Sequence, residues 1–218
     1  MRYVLSSIAV LLLVALISGV AFAQDAQKEW YDDVGIYLDH DVEHHFFEAK
    51  AHFEAGDFHA AAENIRGSAT LLKIDAVRLS SSKYEELEDA SKELNNLADR
   101  VDNGEVKSMQ EIRDVFAHTH YVLATRHLAN AREKWLKKDT ENTGHAISAS
   151  VRHIKNAMEW ADVEADKVFT DLLDDIVPVT EKLMKDTGWV SEEVEKILDA
   201  VGKELEKLGK SLESKKQQ

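Results

Sequence analysis

Apolar residues recur every three to four positions along nearly the whole chain, and no segment alternates with period two. Only the 3.6-residue period of a helix brings such positions onto one face, so the pattern admits helices and leaves no strand for a sheet. Val34, Leu38, Val42, Phe46, Ala49 and Phe53 make a first stripe, stopped at Gly56-Asp57. Phe58, Ala61, Ile65, Ala69, Leu72, Ala76 and Leu79 make the next, stopped at Ser80-Ser81-Ser82. Tyr84, Leu87, Leu94, Leu97 and Val101 mark a third helix ending at Asn103-Gly104. A fourth is expected from about Glu105 to Lys138, with Met109, Ile112, Phe116, Leu123 and Ala131 along one side. Thr143-Gly144 is expected to turn the chain into a fifth, through Ile147, Val151, Ile154, Met158, Ala161, Ala165, Val168 and Leu172. Pro178 has no N–H to donate and is expected to end or kink that helix near Val177. Ser191, Glu192 and Glu193 make a capped, acidic start for a last helix reaching about Ser211.

Beneath this layout lies an internal repeat. His45-Phe-Phe-Glu-Ala-Lys-Ala-His52 is similar to His120-Tyr-Val-Leu-Ala-Thr-Arg-His127, 75 residues on. His59-Ala-Ala-Ala-Glu-Asn-Ile-Arg66 is similar to His145-Ala-Ile-Ser-Ala-Ser-Val-Arg152, 86 residues on. The second copy therefore holds 86 − 75 = 11 more residues between its paired helices, around Arg132 to Asn142. Asp102-Asn-Gly-Glu-Val and Asp186-Thr-Gly-Trp-Val each open a new helix. Units of this size cannot bury a face alone and must stack. The expected fold is all-α, with about six helices in a bundle or short helical array built from a duplicated helical-hairpin unit. The first helical repeat spans 24–104, the second 105–188, and a C-terminal amphipathic helix 189–218.

The piece Ala49-Lys-Ala-His-Phe-Glu-Ala-Gly-Asp-Phe-His-Ala-Ala61 resembles the helical hairpin of tetratricopeptide repeats, where small residues also alternate with an aromatic and a Gly-Asp turn. The likeness spans roughly 25 residues and lacks both the 34-residue period and the closing proline of that family. It implies a tight antiparallel helix pair here, with peptide binding as the family's property.

Residues 1–23 read as an export signal: Arg2, an apolar run from Ile8 to Val20, and Ala21-Phe22-Ala23 before Gln24. The run is shorter than the roughly 20 residues of a membrane span, so cleavage after Ala23 is expected. The expected destination is a bacterial periplasm or the outside of the cell. Beyond the signal, 26 Lys+Arg face 41 Asp+Glu, a net charge of −15 that argues against nucleic acid and against an anionic membrane surface. The chain has no Cys, which removes disulfides, thiolate zinc, iron–sulfur clusters, c-type haem and thiol catalysis.

Ten histidines are the remaining chemistry. His45/His52 and His120/His127 are i,i+7 pairs, each on one side of a helix. His120 and His127 fall within the Met109/Phe116/Leu123 stripe and are expected inside. His45 and His52 lie at the edge of theirs, in a ladder with Asp41 and Glu48. Imidazole is a common metal ligand, and a neighbouring carboxylate can fix its tautomer. His45, His52, His120 and His127 are therefore the candidate ligands, for a divalent metal or for the iron of a b-type haem. Histidines at such places also serve as hydrogen-bonded fillers. Helix-pair geometry levels His127 with His153, so a second site would gather His120, His127 and His153. His59, Arg66, His145 and Arg152 are expected on a secondary packing face or the surface, and His40, His44 and His118 in solvent.

No enzyme is expected. Glu-x-x-His on two helices, His-Glu-x-x-His, Gly-x-Ser-x-Gly and a phosphate-cradling glycine loop are all missing from the sequence. Trp135, beside Lys134, Lys137 and Lys138, is the best candidate for an exposed contact. The last helix, with Val194, Ile197, Leu198, Val201, Leu205, Leu208 and Leu212, is expected to close the bundle; pairing with a protein partner or a second copy is the alternative. Two functions fit: an exported, non-enzymatic protein holding a metal ion or haem on inward-facing histidines, or a helical adaptor or stress-type interaction protein with structural ones.

Overall fold

The computed structural model describes residues 41–77 and 81–216. The proposed export signal and the stripe residues Val34 and Leu38 lie outside them. All regular structure among the described residues is helical. α1 covers 41–54, and α2 (Phe58–Val77), α3 (Ser81–Asp102), α4 (Met109–Leu136), α5 (Thr140–Ala161), α6 (Lys167–Met184) and α7 (Ser191–Lys216) follow.

Successive helices fold back through short connections because local chemistry stops each one. Gly56 takes φ +80°, and the Asp57 carboxylate accepts the Ala60 N–H at the start of α2. Gly104 at φ +66° ends the α3 side of the next turn. Asp162 adopts a left-handed conformation at the C-terminus of α5, and Asp166 caps α6 by accepting from Phe169 N at 2.9 Å.

The long α4–α5 hairpin is the centre of the molecule. α2 and α3 pack as a pair, with α3 against α4; α6 lies on α5, and α7 returns along α4. α1 fits between α2 and the central hairpin: Ser68 Oγ donates to Val42 O, and Phe46 stacks on Phe116 at 3.8 Å. Trp160 of α5 meets Phe116 edge-on at 5.1 Å, so aromatic rings from three helices close this part of the core. The apolar stripe of α7 is buried from Val194 to Leu212, so this helix closes the bundle.

Three boundaries differ from those read off the sequence. Thr143 and Gly144 are buried inside α5 rather than in a turn. A Cβ at Gly144 would stand 2.9 Å from Thr180 O, so this glycine serves the close approach of α5 to α6. α4 runs to Leu136 and α5 starts at Thr140, so the stretch around Arg132 to Asn142 is mostly helix and only 137–139 connect the two. The long fifth helix is in fact two, α5 and α6, divided at 162–166, which gives seven helices among the described residues instead of about six. The left-handed Asp162 and the Asp166 cap make that break; Pro178 sits within α6 at an exposed position.

Candidate functional site

The central hairpin and α1 bring a polar row into the core. His120, on α4, is fully buried, and His153, on α5, is 1% exposed. Their Nδ1 atoms stand 2.9 Å apart, with ring centroids 5.2 Å apart. Glu43 of α1 places a carboxylate oxygen 2.5 Å from the far nitrogen of His120, Nε2. With the Nε2–H of His120 donated to the Glu43 carboxylate, the Nδ1 lone pair of His120 accepts from the Nδ1–H of His153. Burial alone would raise the Glu43 pKa, but bonds from His120, Trp160 and Asn156 outweigh it and hold the carboxyl below its ordinary range. Asn156 donates to it at 3.0 Å.

On the other side of His153 lies His127, one helical level along α4. The two rings are near-parallel, 5.3 Å apart at 11°. Arg126 Nη1 donates to His127 Nε2 at 2.8 Å, which makes His127 the Nδ1–H tautomer. The same guanidinium holds the buried Asp75 of α2 at 2.9 Å and 3.1 Å. The row therefore runs Glu43, His120, His153, His127, Arg126, Asp75, with an acid at each end.

His45 and His52 do not join it. His45 turns towards α2, where Nδ1 meets Asn64 Oδ1 at 3.0 Å and the ring lies against Gly67. His52 remains partly exposed, near Glu48 at 4.0 Å and Asp57 at 3.9 Å. Asp41 of the same ladder is exposed. Among the described residues, no three His, Asp or Glu side chains gather around one point as metal ligands. The convergent pair is His120 with His153.

His40 lies outside the described residues, and two further histidines, His59 and His118, pair with acids of α3. His59 bonds Asp102 at 3.1 Å, which raises the His59 pKa and lowers that of Asp102. Arg66 spans Glu63, Asp99 and Asp102. His118, expected in solvent, is half-buried against Glu93 at 2.6 Å, because α3 packs on α4 there. Trp135 is half-buried and packs edge-on against Trp189 at 5.5 Å rather than standing out.

Sequence reasoning missed Glu43, Asp75 and Arg126 as members of the site. The signal for the first two was available: Glu43 follows Val42 and precedes Phe46 by three, and Asp75 stands between Leu72 and Ala76. An acid flanked by stripe positions is poorly placed for solvent.

No family model matches the chain, and neither a curated protein nor a solved structure is detectably similar to it.

Proposed function

We propose that this chain is an exported, non-enzymatic helical protein that takes up a metal ion between His120 and His153. The observation that carries the reading is their nitrogen pair: two imidazole nitrogens 2.9 Å apart in the core, with a carboxylate 2.5 Å behind one ring. A carboxylate on the outer nitrogen of a ligating histidine fixes its tautomer and raises its basicity. A haem fits less well than an ion. One turn from the pair, Ser150 Oγ reaches Ala124 O at 2.8 Å, so α4 and α5 stand too close to admit a macrocycle between the rings.

The placement of the pair also fits a duplicated helical hairpin, which we propose from the matched sequence blocks. His45 and His120 are 75 residues apart, and their neighbours Gly67 and His153 are 86 apart, the same offsets as the matched sequence blocks. His45 rests on Gly67 where His120 meets His153, so matching positions touch in both hairpins and only the second has two rings.

The second reading is an interaction or stress-type protein with structural histidines. It is favoured by the Arg126–Asp75 pair, which already engages His127.

Elemental analysis of the untagged mature protein, dialysed against a panel of transition-metal salts, separates the two. The first reading expects one retained equivalent, lost in His120→Gln. Retention of none leaves the second. Mass spectrometry of the secreted chain tests export, with Gln24 expected as its first residue.

A further inference from the structure

We infer that the ion held by His120 and His153 is a soft monovalent one, copper(I) or silver(I), bound by two nitrogens alone. This rests on the metal-binding reading above and specifies it.

The first ground is the number of ligands. Two Nδ1 atoms converge, and among the described residues no set of three metal-ligating side chains does. Zinc asks for four ligands and magnesium or calcium for six or more, mostly oxygens. Copper(I) and silver(I), with filled d shells and a single charge, are content with two nitrogens in a line. His127 is not available as a third, because Arg126 occupies its Nε2 and its ring runs parallel to that of His153, 5.3 Å away, rather than pointing at the pair.

The second ground is charge. An ion in this core must be compensated by carboxylate nearby, since an uncompensated buried charge is costly. Asp75 is already matched by Arg126. That leaves Glu43, whose carboxylate oxygen stands 2.5 Å from the outer nitrogen of His120, as the one carboxylate an imidazole away. One negative charge balances one positive charge. A divalent ion would leave a full unit of charge buried.

The third ground is space. Metal–imidazole bonds of about 2 Å each would part the two nitrogens by about 1 Å beyond their present 2.9 Å. The movement this asks for is a rotamer change of the two rings. The ion takes the place of the proton between the rings, and that proton moves to Nε2 of His153. Both rings stay neutral, and binding has no net proton release.

The test uses the untagged mature chain in chloride-free buffer, titrated calorimetrically with silver(I) nitrate and separately with zinc(II), alongside His153→Gln. The expected result is one equivalent of silver bound at least tenfold more tightly than zinc, and lost in the variant. If His153→Gln fails to fold, X-ray absorption at the silver edge of the wild-type complex decides, with two nitrogen neighbours expected. Zinc bound as tightly as silver, or four light neighbours around silver, overturns the ion class and leaves the metal-binding reading standing. Silver binding unchanged in a folded His153→Gln overturns the site. Failure of both ions to bind overturns the inference and the reading together.

Discussion

Arg126 is the residue on which the polar row leans most, because it compensates Asp75 and fixes His127 with the same guanidinium. Asp75 is only 3% exposed, so removing the guanidinium takes a countercharge away from a buried carboxylate. Arg126→Met should cost about 3–5 kcal/mol in urea unfolding, and adding Asp75→Asn should recover part of that loss. Glu43 sets the acid limit at the other end. Its folded pKa is lowered from an ordinary 4.5, so the ionised carboxylate adds stability that is fully present above that value. This stability is lost as pH falls through the lower folded value. In Glu43→Gln the acid side of the stability–pH curve should flatten; an unchanged curve would contradict the assignment. The burial of His120 and His127 was legible because both fall on an apolar stripe, and helix-pair geometry brought His153 level with His127. The acids were legible only in part: Glu43 and Asp75 stand among stripe positions, but their partners lie on other helices, which periodicity does not record. Asp75 and Arg126 are 51 residues apart.

Elements tell a similar story about what local pattern encodes. α7 was readable almost to its ends, since its stripe and its acidic first turn agree. The division of α5 from α6 was not, because the break depends on a left-handed aspartate, a residue type that also sits comfortably on a helix surface. Gly144 looked like a turn and is a packing device. Gly144→Ala should destabilise by about 1–3 kcal/mol, because the new methyl meets the Thr180 carbonyl and the Leu183 and Met184 side chains. Pro178 should show the opposite sign. It lies exposed within α6, where proline is about 3 kcal/mol worse than alanine in a helix interior, so Pro178→Ala should raise the urea midpoint. A fall would mean that the α6 backbone depends on the proline's bend to reach Gly144.

At the scale of the whole molecule, one hydrophobic cluster runs from Val42 to Leu212 and encloses the polar row. An ion bound there draws on the stability of every helix that touches the row, so loading and unfolding are linked. At a free silver concentration 100 times the dissociation constant, binding should add about 2.7 kcal/mol. For a domain of this size that is about 5–10 °C in the unfolding midpoint, and the rise should vanish in His120→Gln. The all-helical class followed from one feature, the unbroken helical period. The nitrogen pair depends on how α4 and α5 meet, which no stripe records. Nitrogen-15 spectra of the imidazoles in the full mature chain, taken before and after one equivalent of silver(I), test the central claim most directly. The account predicts that the Nδ1 signals of His120 and His153 move together while those of His127 hold. Shifts confined to surface histidines such as His52 and His59, with the buried pair unchanged, would contradict it.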